Sequence, residues 1–317
     1  MSSVQIQIPS KTFLVGEYAA LVGGSAVVIN SRPCFEATLH LADASGEQHP
    51  FHPESPAGKY YSANSGKFLG KLEWSDPHRG KGGFGGSSAQ FLVMHFWSKL
   101  IQTKLQQFDD LQNTSETETF ALRDQLLNFS GLPSEGVKPS GYDLVSQMTG
   151  ELALIDGEKR TAKALGWSFV DKEFLILRTG LKVNTHDHLA EFSEINFSSL
   201  SQISYDVGSS LVSNDYLGVV GGVTEFQREL RRRNLTHQNA YDILQKFLDL
   251  CDGGKCCGAL GADSILLFYS TDKALAVRQR LLEVNRAFGL QLAPIAGSGD
   301  LVKVNVNAVL RERTVET

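Results

Sequence analysis

Cysteine is scarce in this chain of 317 residues: four occur, Cys34, Cys251, Cys256 and Cys257. Their spacing matches neither a zinc-ligand pattern nor a disulfide framework. Adjacent Cys256 and Cys257 would point to opposite faces of a strand, so they read as packing thiols. Long apolar runs are missing too. No stretch approaches the roughly 20 residues needed to cross a bilayer, and the first nine residues show no basic region followed by an apolar core. Positive charge is not in excess either: 30 Lys and Arg against 35 Asp and Glu leave a net charge of -5. A broad basic surface of the kind that binds nucleic acid is thereby excluded. The expectation is a cytoplasmic protein with small-molecule partners, no nucleic acid and no membrane. Internal repeats and low-complexity tracts are absent as well. With 42% hydrophobic and 21% charged residues, the chain should fold into two domains of about 150 residues each.

Glycine is concentrated where it matters most. Lys81 to Gln90 reads Lys-Gly-Gly-Phe-Gly-Gly-Ser-Ser-Ala-Gln, four glycines running into two serines and then into an apolar helical pattern from Phe91. Lacking Cβ atoms, Gly82, Gly83, Gly85 and Gly86 can aim consecutive N–H groups at one point, and the following helix directs its positive end there. This is the construction of a phosphate cradle.

Around it the pattern alternates between strands and helices. Ser3 to Asn30 is β-rich with Gly23 and Gly24 between apolar runs, and Cys34 to Leu41 continues that character. Asp43 to Ser65, with three prolines, reads as a surface excursion. Helices are expected over Phe91–Leu105, over Glu116–Phe129 ending near Gly131, over Thr236–Cys251 with Thr236 as N-cap, and over Asp272–Phe288 stopped by Gly289. Strands are expected at Glu151–Ile155, at Glu173–Arg178 in a central position, at Ser264–Tyr269 and at Leu301–Val306. The second half thus forms an α+β layer on an antiparallel sheet, with the domain join between Gly157 and Trp167.

Three other segments carry chemistry-bearing residues. In Pro9 to Ala19, Lys11 and Gly16-Glu17 put a cation and an anion at the two ends of one short buried element. Lys138-Pro139-Ser140-Gly141-Tyr142-Asp143 is a turn that presents a carboxylate. Gly258 to Asp263 places small residues before a buried strand, where backbone can approach something closely. Taken singly, each has a bland reading as a surface charge, a cap or a tight turn.

In this order the four segments resemble the motifs of the GHMP kinases, the superfamily of galactokinase, homoserine kinase, mevalonate kinase and phosphomevalonate kinase. The first motif is similar to Pro9–Ala19, the glycine-rich second to Gly82–Ala89, the third to Gly258–Asp263, and the segment of the catalytic aspartate to Pro139–Asp143. Thr179-Gly180 with Thr185 is similar to the strand-end Thr-Gly and downstream Thr. The resemblance implies a two-domain α+β fold, with a ribosomal-protein-S5-like N-terminal domain (1–162) and a ferredoxin-like C-terminal domain (163–317). It also implies an enzyme that moves the γ-phosphoryl group of ATP, with Mg²⁺, to a small-molecule acceptor.

Carried over residue by residue, the resemblance makes Lys11 and Asp143 catalytic. Gly82, Gly83, Gly85, Gly86, Ser87, Ser88 and Ala89 would bind the nucleotide, with the Ser88 hydroxyl on Mg²⁺ and Ser87 capping the helix. Glu17, Tyr18, Ser140, Gly141, Thr185, Gly258, Ala259 and Gly261 would line the acceptor site. Gly16-Glu17-Tyr18-Ala19 resembles phosphomevalonate kinase more than mevalonate kinase, which makes a phosphorylated acceptor of the mevalonate route the leading expectation. Lys138, Arg178 or Lys182 would then meet its phosphate. Mevalonate kinase, the decarboxylase of the same superfamily and a noncatalytic metabolite sensor are the alternatives, and a homodimer is left open. Two departures stand out: Phe84-Gly85-Gly86-Ser87-Ser88 replaces the usual Gly-Leu-Gly-Ser-Ser, and Leu132 stands where mevalonate kinase has a Mg²⁺-binding Glu.

Overall fold

A hairpin of two long strands organises the first sheet. β1 (Ser3–Val15) runs antiparallel to β2 (Ser25–His40), and both alternate or run apolar over most of their length, so both bury side chains on two faces. β2 is long enough to pair with β3 (Lys71–Ser75) at one end and β4 (Leu152–Asp156) at the other. β5 (Thr161–Leu165) follows β4, and β10 (Asn305–Val309) returns to the far side of β1, giving six strands in the order β10-β1-β2-β4-β5 with β3 also on β2. The second sheet has four strands, β7 (Gly253–Cys257), β8 (Ser264–Ser270), β6 (Lys172–Arg178) and β9 (Ala293–Gly297), in that spatial order. Every pairing is antiparallel. This computed structural model describes residues 3–41, 49–68, 70–81, 83–102, 114–131, 139–181 and 197–309.

Eight α-helices among the described residues cover the sheets: α1 (Pro56–Ala63), α2 (Gly86–Gln102), α3 (Glu116–Ser130), α4 (Tyr142–Thr149), α5 (Ser198–Val212), α6 (Tyr216–Arg232), α7 (Gln238–Gln245) and α8 (Ala274–Phe288). One core gathers α1, α2 and α3 over β1 and β2 through Ile6, Phe35, Leu92, Phe96 and Leu122. A second takes Leu14, Val27 and Ile29 from the first sheet together with Phe174, Ile176, Leu266 and Phe268 from the second, under α5 and α6. Because both sheets contribute to that core, they are locked to each other by apolar burial. A cut between residues 162 and 163 passes through β5, and β10 crosses back over it to pair with β1.

Several elements differ from their sequence expectations. α2 begins at Gly86, five residues before the apolar pattern does, because the serines form its first turn. The Asp43–Ser65 stretch holds a helix, α1, started by Ser55, whose hydroxyl accepts from Gly58 N, and anchored by Tyr60 against Phe91 and Phe129. The Thr236–Cys251 helix shrinks to α7: His237 holds the N-cap position, and the Thr236 hydroxyl instead accepts from Gln227. The last strand lies four residues later than its apolar pattern, at Asn305–Val309. β6 is interior, between β8 and β9, and Cys256 and Cys257 enter different cores on opposite faces of β7, both as expected from their patterns.

Candidate active site

Lys11 lies on β1 just after a register shift between Ile8 and Ser10, and its ammonium is 2.9 Å from Asp143 Oδ1. Asp143 belongs to the first turn of α4, where the helix start adds to the stabilisation of its negative charge. The turn before it is held from outside: Arg123 of α3 donates to the Ser140 carbonyl at 2.7 Å, and Gly141 takes the left-handed N-cap position against the Arg123 side chain. The lysine side chain is 10% exposed and the carboxylate 36%. The pair therefore opens to solvent on the aspartate side.

The glycine-rich loop closes over this pair. Gly83 and Gly85 have φ of 94° and 85°, and both are tightly approached. A Cβ on Gly83 would come 2.5 Å from Asp263 Oδ2, and one on Gly85 would come 2.8 Å from Gln147 Nε2 and 2.9 Å from Lys11 Cγ. Between them Phe84 is buried, and its carbonyl accepts from Lys11 N at 3.1 Å. The start of α2 follows directly, with Gly86 half-buried and the Ser87 side chain exposed. Ser88 turns inward instead: its hydroxyl lies 2.9 Å from the Gly85 carbonyl and 2.8 Å from Gln147 Oε1 as donor. The hydroxyl at the open end of this helix is thus Ser87, not Ser88. Ala89 is fully buried, and its N–H bonds Gly85 O within the helix, so it offers nothing to a ligand. Gly82 lies outside the described residues.

The third segment completes the enclosure. Gly258 has φ of 89°, and a Cβ there would collide with Asp263 Oδ2 at 2.0 Å; the same oxygen accepts from Ala259 N at 3.2 Å. Burial pushes the Asp263 carboxyl up, opposed by that N–H and by the charge of Lys11. Lys11 accordingly serves two carboxylates, one by contact and one through space. Thr179, at the end of β6, donates to the carbonyls of Ala262 and Asp263 and so ties the second sheet to the site. Gly261 is approached closely by Cys256, which a Cβ there would meet at 2.7 Å. Thr185 lies outside the described residues, as do Lys138, Lys182 and Leu132.

Two residues expected to touch the acceptor are committed elsewhere. Tyr18 is buried in the second core and stacks on Phe197 at 6.0 Å, and burial with the neighbouring Glu17 charge raises its hydroxyl well above the usual tyrosine range. Glu17 forms an ion pair with Lys255, a fully buried lysine on β7 that also approaches the Phe13 carbonyl and Cys257 Sγ. Burial disfavours the Lys255 charge, yet Cys257 and the Glu17 carboxylate outweigh it and raise its pKa. The second carboxylate oxygen of Glu17 is buried without a hydrogen-bond donor.

The described residues contain no group of three or more His, Cys, Asp and Glu side chains able to hold a metal. No helix among them is long and apolar enough to cross a membrane. The Arg228–Arg233 cluster is a charged helix face, with Arg228 paired to Glu225 and Arg232 and Arg233 paired to Glu229.

No family model and no curated protein matches this chain. Solved structures do. Phosphomevalonate kinase from Streptococcus pneumoniae superposes with a TM-score of 0.71 over 94% of this chain and 99% of that one, at 15% identity. Mevalonate kinase from Methanococcus jannaschii gives 0.64 over 92% and 96%, at 14% identity. Lactococcus lactis galactokinase, complexed with galactose, gives 0.68 over 95% of both chains, at 10% identity. The chain has the GHMP kinase fold. Within that fold, the segments matched to its motifs gather around Lys11, although Lys11 and Asp263 are 252 residues apart in sequence: Asp143 pairs with it, Gly85 abuts it and Asp263 feels its charge. Four residues around this candidate site escaped the sequence reading. Gln147 had a signal, since it follows Asp143 by one helical turn and so shares its face. Lys255 had one as well, a single charge inside the otherwise small and apolar Gly253–Cys257. Arg123 and His78 had none, because only the folded chain brings α3 to Ser140 and the Asp76–Lys81 turn to Phe84.

Proposed function

We propose that this chain is an ATP-dependent phosphotransferase acting on a small-molecule acceptor, with a phosphorylated acceptor of the phosphomevalonate type as the leading substrate. The observation that carries this reading is the 2.9 Å contact of Lys11 with Asp143 beside the glycine loop and the start of α2. Phosphoryl transfer demands in-line placement, neutralised charge and a route for the acceptor proton. The loop amides from Gly83 to Gly86 would cradle the β and γ phosphates. Asp143 would orient the acceptor oxygen and take its proton, and Lys11 would balance charge on the transferred group. A phosphate monoester acceptor is largely ionised at neutral pH, which shifts weight from Asp143 to Lys11.

Magnesium fits this donor set as an ion held mainly by the triphosphate. Bound there, it would neutralise charge on the β and γ phosphates. Ser87, exposed at the start of α2, and Asp263, packed against Gly83, would be the donors of this chain to it. Arg178 supports an anionic acceptor: it is half-buried at the end of β6, close enough to His78 to act on its charge, and no carboxylate pairs with it among the described residues.

The test is ADP release with mevalonate, phosphomevalonate, diphosphomevalonate, galactose and homoserine offered separately. Turnover with phosphomevalonate alone is the expected result. Preference for mevalonate would move the acceptor assignment, carbon dioxide release from diphosphomevalonate would mark a decarboxylase, and binding without turnover would mark a sensor.

A further inference from the structure

The mid-point of the glycine loop is gripped by a histidine that none of the kinase motifs contains. His78 lies in the turn after β3, where Asp76 Oδ1 accepts from His78 N at 2.8 Å and Asp76 Oδ2 from Gly80 N at 2.7 Å. Its ring stacks on Phe84 with centroids 4.3 Å apart and planes 25° apart, and meets Phe35 edge-on at 5.5 Å. On its other side, Nε2 is 2.6 Å from Ser10 Oγ. The Ser10 hydroxyl has one hydrogen, and the Pro33 carbonyl takes it. His78 must then be the donor to Ser10, which places its proton on Nε2 and leaves Nδ1 as a bare acceptor. That Nδ1 is buried with no donor in reach.

These contacts close a ring: Ser10 holds His78, His78 holds the Phe84 side chain, the Phe84 carbonyl holds Lys11 N, and Ser10 and Lys11 are consecutive. The ring brackets a segment whose flanks are the two left-handed glycines 83 and 85, positions with the least intrinsic resistance to movement. Burying an unsatisfied acceptor normally counts against a residue, so a purely structural core would be better served by phenylalanine here. We propose that His78 is a positioning residue that, through Ser10 and Phe84, fixes the phosphate-binding loop relative to Lys11. Its stack supplies what an aliphatic loop residue could not, a flat partner for the phenylalanine that this chain carries at position 84. The proposal rests on the kinase reading and adds a residue to it.

The test combines direct binding of MgADP by calorimetry with steady-state kinetics on the full chain. His78→Ala should weaken MgADP binding and raise KM for ATP roughly 10- to 100-fold, while kcat at saturating nucleotide stays within about threefold. His78→Phe keeps a stacked ring, removes the orphaned acceptor and loses the Ser10 tether. It should be at least as stable to denaturant as the unaltered protein, yet bind MgADP about 3- to 10-fold more weakly, a combination that a merely structural role would not give. If His78→Ala does not fold, Ser10→Ala, which breaks the same tether, must reproduce the binding loss. Histidine NMR of the unliganded protein should show His78 protonated on Nε2. A proton on Nδ1, or variants that bind MgADP as the unaltered protein does, would overturn the proposal alone; an unaltered protein that binds no nucleotide would overturn it together with the kinase reading.

Discussion

Lys11 is constrained from three directions: its N–H by the Phe84 carbonyl, its ammonium by Asp143, and the side chain by the Phe13 ring, whose centroid is 4.8 Å from Nζ. A long flexible cation ordinarily loses much rotamer freedom when it is fixed, and here neighbouring groups have already taken that freedom away. Replacing it should therefore act on chemistry more than on folding. Lys11→Met and Asp143→Asn are each expected to lower kcat by about 10²- to 10⁴-fold with nucleotide binding changed less than tenfold. The measurement is kcat against a calorimetric Kd for MgADP, and a variant retaining more than a tenth of kcat would remove its residue from the catalytic role. Glu17 shows the opposite case. Its carboxylate is placed by sequence beside the site, but a buried ammonium from β7 captures it, and breaking such a pair exposes an uncompensated charge to a low-dielectric interior.

At the level of elements, the glycine loop and α4 act as one unit because Gln147 joins them. Its amide nitrogen donates to the Pro9 and Gly85 carbonyls, and its amide oxygen accepts from Ser88. Gly85→Ala would force a methyl against both Gln147 and Lys11 from a backbone angle that L residues avoid. We expect weaker MgADP binding by roughly 10- to 100-fold and a lower kcat as well, since Lys11 is displaced along with the loop. A Gly85→Ala protein with unchanged kinetics would show that the loop does not bear on the site.

Such couplings explain which elements could be read in advance. The glycine loop, α3 with its Ser115–Glu118 capping box and α8 with its glycine stop were legible because local chemistry decides them. α1 was not, because its helix rests on Tyr60 packing against Phe91 and Phe129, partners distant in sequence. Only the Cys256–Cys257 end of β7 read as strand, for a related reason: Gly253-Gly254-Lys255 has little strand propensity and is held by pairing with β8. Ser88 and Ser87 illustrate the limit at the site. Adjacent hydroxyls on a helix point about 100° apart, and which one faces outward depends on where Gln147 lies.

For the molecule as a whole, the shared core between the sheets makes stability a collective property that buried titrating groups can undermine. Burial lowers the pKa of both His78 and His95 to about 4; for His78 Arg178 adds to this and Asp76 opposes it, and for His95 Lys99 adds and Glu118 opposes. In the unfolded chain a histidine titrates near 6.5. Below that value the unfolded state binds more protons, so the stability present above pH 6.5 is lost as pH falls toward 4, by up to ~1.4 kcal/mol per pH unit for each histidine. Urea denaturation at pH 7 and pH 5 should show that loss, and His95→Phe should reduce it by about half. Equal stability at the two pH values would mean that neither ring is kept neutral by the fold.

Sequence alone determined the order of the four motifs, the small residues that permit close approach at Gly83, Gly85 and Gly258, and the identities of the Lys11 and Asp143 charges. Those are local matters, decided by which side chains exist and what backbone angles they tolerate. Tertiary structure alone decided that Lys255 takes Glu17, that Tyr18 is core, that Ser88 faces in and that His78 lies beneath Phe84. Each of these depends on surfaces brought together by apolar burial between elements far apart along the chain, a force proportional to area and blind to sequence position.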